Sequence, residues 1–334
     1  MFTTQKVIAA SFFFLLFAVA VAAQDDPCLR RTVAINVFDL DGKLVTGLTP
    51  KDFRAELKGK PVSILSVDLD QRPHRLVVVL DASASMFDGE KQWDLARSLA
   101  EAAVAASPAR FQAGLIVFND AVRIRIPIQS DPGPALQALV DLPQRPLGHD
   151  ARVGRHTSLW DALLAATEML APPRFGDAIY VVTDGADNQS KASIKSLRRT
   201  LHAQGIRVFS AWFGYDVIVE PMLADVLGVN DFINLVAESG GLLARIPPRL
   251  RLGLAVPKYS QLGPELQAEI RVQTQEILDA VQFPYRLAAA LPAPLAHLEK
   301  WKLYLPRPQR GQPGWLLSYP AQMESCSATV VLAN

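Results

Sequence analysis

Cysteine, net charge and long apolar runs are all scarce in this chain of 334 residues. Its two cysteines exclude a disulfide-rich scaffold and a four-cysteine zinc site. Its 34 basic and 33 acidic residues leave a net charge of +1, so no overall field favours nucleic acid. A glycine-rich phosphate loop and a dinucleotide fingerprint are missing too. The chain is nevertheless 50% hydrophobic, enough for a packed core, and its length suggests about two domains.

One long apolar run stands at the N-terminus. Residues 7–23 are apolar apart from Ser11, follow the basic Lys6, and end in small residues before a polar segment. This pattern predicts a secretory signal peptide over residues 1–23, and an uncleaved membrane anchor is the alternative. Later runs fall short of the roughly 18 apolar residues of a spanning helix. We therefore expect an exported protein, periplasmic or extracellular, with no membrane contact beyond the signal segment.

Hydrophobic periodicity divides the rest of the chain. Residues 31–71 show short strands and turns and predict an N-terminal β segment. Residues 72–250 alternate apolar strands with helices, which predicts an α/β domain with a doubly wound, mostly parallel sheet. Residues 251–282 indicate a linker and a helix, and residues 283–326 a C-terminal β segment. Each β segment has too few strands to bury a sheet alone, so we expect both to pair into one small β module beside the α/β domain.

Oxygen-bearing side chains follow two of the predicted parallel strands, 76–80 and 178–183, and precede the helix that begins near residue 158. Because ligands bind beyond the carboxyl ends of parallel strands, we expect these side chains to share one edge of the sheet. Two carboxylates and three hydroxyls, without Cys or His, suit a hard divalent cation. A purely structural use of these residues, in capping and turns, is the alternative. The candidate metal ligands are Asp81, Ser83, Ser85, Thr157 and Asp184.

The five positions resemble the metal-ion-dependent adhesion site of von Willebrand factor type A domains. The resemblance rests on Asp-Ala-Ser-Ala-Ser at 81–85, the distant Thr157, and Thr-Asp-Gly at 183–185. It implies that the two serines and the threonine ligate Mg²⁺, with Mn²⁺ or Ca²⁺ as alternatives, while Asp81 and Asp184 act largely through water. Ala84 departs from the glycine of many relatives. The flanks resemble those of exported, acidobacterial-type members of the family.

The same resemblance implies a protein partner that supplies an aspartate or glutamate carboxylate to the open metal position. The loop before Thr157 carries Arg145, Arg152 and Arg155 against one aspartate, so we expect a basic rim that attracts an acidic partner. A solvated loop without function is the alternative. The identity of the partner and the oligomeric state stay open.

Several weaker features flank this set. Asp187 and Asn188 precede a helix, and N-capping is the plainer interpretation. Asp161 lies one helical turn after Thr157 and could hold a ligand water. Cys28 and Cys326 stand just outside the first and last predicted strands, so pairing of the flanks would let them form a disulfide.

These features favour a module for cation-dependent protein–protein binding or adhesion outside the cytoplasm. A structural envelope protein with a vestigial metal site is the second hypothesis. A hydrolase is the third, but Ser83 lacks the flanking glycines of a nucleophile elbow, so we expect no enzymatic activity.

Overall fold

The computed structural model describes residues 27–87, 90–106, 110–147, 156–214, 228–246, 264–305 and 314–323. Predictions that fall elsewhere in the chain lie outside the described residues and stay predictions. They concern the signal peptide at 1–23, Arg152 and Arg155, the linker before α6 in the range 251–282, and Cys326.

Strands and helices alternate through the middle of the chain, and strands alone flank it. The strands are β1 (Arg30–Asp39), β2 (Arg54–Leu57), β3 (Lys60–Leu69), β4 (His74–Asp81), β5 (Phe111–Phe118), β6 (Val122–Gln129), β7 (Ala178–Thr183), β8 (Arg207–Trp212), β9 (Leu243–Arg245), β10 (Tyr285–Ala290), β11 (Glu299–Tyr304), β12 (Trp315–Ser318) and β13 (Gln322–Met323). The helices are α1 (Glu90–Ala105), α2 (Gly133–Val140), α3 (Leu159–Met169), α4 (Ile194–Gln204), α5 (Val229–Glu238) and α6 (Pro264–Gln282).

The α/β domain is built on a six-stranded sheet with the order β6-β5-β4-β7-β8-β9. Its neighbouring strands run parallel except β5 and β6, which are antiparallel. The central strands β4 and β7 are buried along their whole length, because helices cover both faces of the sheet. The predicted doubly wound, mostly parallel sheet is thereby confirmed.

Helices pack on the two faces in separate apolar layers. One face buries side chains of α1, α2 and α6, among them Trp93, Leu139 and Ile277. The other buries side chains of α3, α4 and α5, among them Leu163 and Phe232. Helix α6 therefore belongs to the core of the α/β domain rather than to a connecting segment. None of the described helices is long and apolar enough to cross a membrane.

Both chain flanks join in one antiparallel sheet, in the order β12-β1-β10-β3-β2-β11-β13, which we call the β module. The interior strand β10 comes from the C-terminal flank and pairs with β1 and β3 from the N-terminal flank. The inner faces bury a separate apolar core that includes Ile35, Leu287 and Trp301. The expectation that the two flanks form one β module is confirmed.

The α/β domain is inserted between two paired strands of the β module. Leu69 at the end of β3 lies opposite Tyr285 at the start of β10. The Asp70 N–H donates to the carbonyl oxygen of Pro284 at 2.9 Å, so the pairing continues one step toward the domain. The chain thus leaves and rejoins the β module at adjacent points.

The end of α5 contacts the turn between the two edge strands of the β module. Strands β12 and β13 form opposite edges, yet only residues 319–321 separate them in the chain. The Ala321 N–H donates to the Glu238 carbonyl at 2.8 Å, and the Ser318 hydroxyl donates to the Gly240 carbonyl at 2.7 Å. A Cβ at Gly240 would lie 2.5 Å from the Pro320 nitrogen, so this close approach requires glycine.

A buried arginine joins the two units at a second point. Arg207 is fully buried, and its guanidinium donates to Asn36 Oδ1 at 2.6 Å and to the Ala280 carbonyl at 3.3 Å. Asn36 lies on β1, and Ala280 lies near the C-terminus of α6, where helix carbonyls favour a cation. Burial lowers the pKa of Arg207 to about 9. This side chain therefore connects the α/β sheet, helix α6 and the β module.

Candidate functional site

The two candidate carboxylates lie at neighbouring strand ends. Asp81 is the last residue of β4, and Asp184 directly follows β7, the parallel neighbour of β4. Asp81 is 0% exposed and Asp184 is 5% exposed. Because β4 and β7 are parallel and Leu80 pairs with Val182, both carboxylates lie at the same edge of the sheet.

Asp81 is held by two hydrogen bonds. The Ser83 N–H donates to its Oδ1 at 2.9 Å, and the Thr183 hydroxyl donates to its Oδ2 at 2.7 Å. Thr183 in turn accepts a 3.0 Å hydrogen bond from the Gly185 N–H. Both oxygens of Asp81 are therefore oriented by neighbouring strands before any ligand binds.

The two serines meet beside these carboxylates. The Ser83 and Ser85 hydroxyl oxygens lie 3.0 Å apart. The Ser85 side chain also lies close enough to the Asp184 carboxylate to lower its pKa, which brings the loop after β4 to the end of β7. Residues Ala84–Met86 form one turn of 3₁₀ helix, a right-handed conformation that alanine adopts without strain. The departure from glycine at Ala84 is thus accommodated.

The chain around Asp184 is fixed on both sides. Its Oδ1 accepts a 3.0 Å hydrogen bond from the Ala186 N–H, and its carbonyl accepts a 2.7 Å hydrogen bond from the Trp212 indole. Gly185 has a φ of 83°, and a Cβ there would lie 2.9 Å from the Phe232 ring. The glycine after Asp184 is therefore required for both conformation and space.

Burial dominates the electrostatics of this pair. Burial raises the pKa of Asp81, and the nearby charge of Asp184 raises it further. Burial likewise raises the pKa of Asp184, while the hydrogen bond from Ser85 opposes that rise. Within the described ranges, neither carboxylate pairs with a lysine or arginine. Two adjacent buried carboxylates that lack a basic partner, together with hydroxyl oxygens, form a donor set that a divalent cation fits.

Thr157 lies against the loop that follows Asp184. Its N–H donates to Asn188 Oδ1 at 2.9 Å, and its carbonyl accepts a 3.1 Å hydrogen bond from the Asn188 N–H. The next residue, Ser158, donates its N–H to the Asn119 carbonyl at 2.8 Å. Thr157 is therefore positioned by the ends of both β5 and β7, and it is buried.

Asp161 and Asp187 both accept hydrogen bonds where the start of α3 meets the loop between β7 and α4. Asp161 accepts a 2.8 Å hydrogen bond from the Ala192 N–H, and Asp187 accepts a 3.3 Å hydrogen bond from the Trp160 N–H. The N-cap of α4 is Ser193, so the N-capping interpretation of Asp187 and Asn188 was wrong for that helix. Asp187 instead caps the first turn of α3 from a distant part of the chain.

One arginine of the predicted rim lies near the serines. The Arg145 guanidinium carbon lies 5.8 Å from the centroid of the Phe87 ring, two residues after Ser85. The segment before Arg145 is fixed by the Trp93 indole, which donates to the Pro143 carbonyl at 2.9 Å. Arg145 is exposed at this end of the sheet, where its charge can act on a partner. Arg152 and Arg155 lie outside the described residues.

Two further predictions have partial structural context. In the described part of the chain, no group of three or more His, Cys, Asp or Glu side chains forms a metal site. The candidate site therefore depends on its hydroxyls as well as its two carboxylates. Cys28 is disulfide-bonded, whereas Cys326 lies outside the described residues, so the Cys28–Cys326 pairing stays a prediction.

Comparison with known families identifies the region that carries this site. Residues 76–186 match the family model of the von Willebrand factor type A domain, and this range runs from β4 to just beyond Asp184. Residues 76–186 are therefore similar to a von Willebrand factor type A domain. The observed order of strands and helices agrees with the fold that the sequence resemblance implied. A comparison with curated proteins finds no match.

Several solved structures resemble the chain at low identity. An aerotolerance-related membrane protein from Bacteroides fragilis is 18% identical, with 61% of this chain and 100% of that chain covered and a TM-score of 0.40. Proximal thread matrix protein 1 from the mussel byssus, with a zinc-occupied metal-ion-dependent adhesion motif, is 14% identical, with 66% and 50% covered and a TM-score of 0.46. This chain therefore spans half the length of the mussel protein. A von Willebrand factor type A protein from Catenulispora acidiphila is 10% identical, with 87% and 72% covered and a TM-score of 0.41.

Two residues orient the site in ways that the sequence analysis did not predict. Thr183 ends an apolar strand, and its hydroxyl orients Asp81. Asn188 fixes the main chain of Thr157 across 31 sequence positions. A lone hydroxyl at the end of a buried strand was a usable signal for Thr183. No local pattern could have paired Asn188 with Thr157, because that contact depends on the tertiary fold.

Proposed function

We propose that the von Willebrand factor type A domain of this chain binds a protein partner through a divalent cation. The observation that carries the proposal is the convergence of Asp81 and Asp184, both buried, with the hydroxyls of Ser83 and Ser85. A cation bound there would relieve the repulsion between two carboxylates that no described basic side chain offsets.

Ser83, Ser85 and Thr157 would supply hydroxyl oxygens to the ion, and Asp81 and Asp184 would act directly or through water. Mg²⁺ prefers such oxygen donors and keeps several waters, with Mn²⁺ and Ca²⁺ as alternatives. When bound, the ion supplies an electrophilic position for an anionic oxygen. The chain itself orients the donors, chiefly through Thr183 and the loop that holds Thr157.

The partner would offer an aspartate or glutamate carboxylate to the ion. Arg145, exposed beside Phe87, would attract the acidic surface around that carboxylate. Export to the periplasm or to the exterior, inferred from the N-terminal apolar run, would give access to such a partner.

Binding rather than catalysis is the proposed activity. Among the described residues, no histidine hydrogen-bonds the Ser83 hydroxyl, whose neighbour is the Ser85 hydroxyl at 3.0 Å. A serine nucleophile needs an adjacent base, so this arrangement gives no support to the hydrolase hypothesis.

The test begins with calorimetric titration of Mg²⁺ into metal-free protein. Wild type should bind one equivalent, and Asp81→Ala should abolish binding while circular dichroism shows a retained fold. Asp141→Ala, which removes an exposed carboxylate at the end of α2, is the charge-matched control and should bind normally. Equal Mg²⁺ affinity in wild type and Asp81→Ala would overturn the proposal.

Capture of a partner then tests the second half of the proposal. Immobilised protein incubated with envelope extract should retain a partner in Mg²⁺, release it in chelator, and lose it in Asp81→Ala. Metal binding without chelator-sensitive capture would leave a structural envelope protein as the better description.

A further inference from the structure

An open cavity of about 400 Å³ lies where the β module meets the α/β domain, beside β9 and α6. This volume falls within the range of small-molecule sites, which occur preferentially between domains. Its apolar walls combine side chains from both units. They are Phe38, Leu242, Ala244, Ile277 and Leu316.

Two hydrogen-bond acceptors on α6 line this cavity one helical turn apart. The side-chain oxygen of Gln273 is buried and has no hydrogen-bond partner among the residues that the structure describes. The Glu276 carboxylate lies against Gly42. A Cβ atom added to Gly42 would be only 2.7 Å from Oε1 of Glu276. In the part of the chain that the structure describes, this carboxylate forms no hydrogen bond or ion pair. A partly buried carboxylate without a partner would gain from a ligand that brings N–H donors, because hydrogen bonds to a charged group are the stronger ones.

The charge around Glu276 is negative. Burial and the nearby carboxylates of Asp279 and Asp39 raise the pKa of Glu276. Arg245 also lines the cavity, but its guanidinium lies over the Trp212 ring, 5.4 Å from the centroid. A cation bound at Glu276 would complement the carboxylates of Glu276, Asp279 and Asp39.

We propose that this cavity binds a small amphiphilic amine, with the protonated amino group at Glu276 and the apolar body against Phe38, Ile277 and Leu316. An ammonium group has three N–H donors and no acceptor, which matches the unpaired carboxylate of Glu276. Leu316 is 54% exposed, so the apolar wall continues to the mouth of the cavity and a ligand can enter from solvent.

Alkylamines test this assignment directly in the full-length protein, with chelator present so that metal binding plays no part. Calorimetry should show that hexylamine binds at least about tenfold more tightly than hexanol, because only the amine forms a charge-assisted bond, and that hexanoate does not bind. Lengthening the chain from butylamine to hexylamine should tighten binding about fourfold per methylene, the signature of an apolar wall.

Two variants locate the binding. Glu276→Gln should weaken the binding of hexylamine about tenfold or more and leave the binding of hexanol unchanged. Glu168→Gln, an exposed glutamate on α3 across the sheet, is the matched control and should bind as wild type does. Ala244→Leu adds volume to the cavity wall and should weaken both hexylamine and hexanol. Circular dichroism spectra should match wild type for each variant.

Several results would overturn the assignment. They are equal binding of hexylamine and hexanol, unchanged hexylamine affinity in both Glu276→Gln and Ala244→Leu, and no binding at all. A short lysine peptide that binds more tightly than hexylamine and depends equally on Glu276 would show that the occupant is a protein segment, which would also overturn it. Because chelator is present throughout, failure here is independent of the proposed metal site.

Discussion

The Thr183 hydroxyl donates a 2.7 Å hydrogen bond to Oδ2 of Asp81, joining the ends of two neighbouring parallel strands. Thr183 is not a proposed ligand, yet it fixes the orientation of the more deeply buried carboxylate. Residues of this kind influence metal affinity because they determine where the donor oxygens point.

Thr183→Val should therefore weaken Mg²⁺ binding about 10- to 100-fold while preserving the size of the side chain. Calorimetric titration measures the effect. Thr167→Val is the matched control, since Thr167 is equally buried but its hydroxyl donates only to the Leu164 carbonyl of its own helix. Similar loss of affinity in both variants would mean that the effect is one of general stability.

Asp81→Asn should raise the melting temperature of the metal-free protein, because one of two adjacent buried charges is removed. It should also eliminate stabilisation by Mg²⁺, which in wild type amounts to about 2.7 kcal/mol at 100 times the dissociation constant. Scanning calorimetry in chelator and in Mg²⁺ measures both effects. A metal-free variant less stable than wild type would show that the lost hydrogen bond from Thr183 outweighs the repulsion.

His74 should make stability depend on pH. Burial lowers its pKa to about 4, with the Arg207 charge acting in the same direction, so the native state keeps it neutral where the unfolded chain is protonated. The stabilisation is present above about pH 6.5 and is lost as pH falls toward 4, at about 1.4 kcal/mol per pH unit. His202, whose pKa burial also lowers to about 4, should contribute a similar slope.

Denaturant unfolding between pH 6.5 and 4.5 measures this dependence. His74→Gln should reduce the slope by about 1.4 kcal/mol per pH unit relative to wild type, and combining it with His202→Gln should reduce it further. His297→Gln, at an exposed position, serves as the control. A slope in His74→Gln equal to that of wild type would contradict the prediction.

Arg207 and Asn36 should be energetically coupled across the two units. Removing Asn36 leaves a buried guanidinium with main-chain carbonyls alone, and removing Arg207 leaves Asn36 Oδ1 without its charged donor. A double-mutant cycle with Asn36→Ala and Arg207→Ala should give a coupling of about 1.5–3 kcal/mol. Additive effects of the two substitutions would show that the hydrogen bond does not stabilise the junction.

Arg145 and Thr157 should affect different steps of partner binding. Arg145→Ser should slow association and weaken its salt dependence, because an exposed charge acts mainly during encounter. Thr157→Ala should mainly speed dissociation, because it removes a proposed ligand. Surface plasmon resonance with the captured partner separates the two rates. Arg125→Ser, at another exposed arginine on β6, is the control and should leave both rates near those of wild type.

Local sequence patterns predicted most elements of the fold. Continuous apolar runs identified β4 and β7, which are buried along their whole length. The shortage of strands in each flank correctly predicted that the flanks pair. The position of β10 between β1 and β3 was not predictable, because strand order depends on contacts far apart in the chain.

The candidate site, too, was predictable from the sequence only in part. The Asp-Ala-Ser-Ala-Ser segment and Asp184 were identifiable because each directly follows a recognisable strand. The hydrogen bonds that orient the site join residues distant in sequence. Thr183 and Asp81 are 102 positions apart, and Asn188 and Thr157 are 31 positions apart. The role of Arg207 was likewise not predictable, since nothing near it in sequence indicates its hydrogen bond to Asn36, 171 positions away.

The insertion of the α/β domain between Leu69 and Tyr285 has a mechanical consequence. A pulling force on the two flanks is carried by the hydrogen bonds of β1, β3 and β10 within the β module, because these strands pair directly. The inserted domain is connected to the β module by two adjacent chain segments and by the contacts of Glu238, Gly240 and Arg207. Asp81 lies at the end of β4 that is opposite the point where the chain enters the domain, so the length of the strand separates the candidate metal site from this junction.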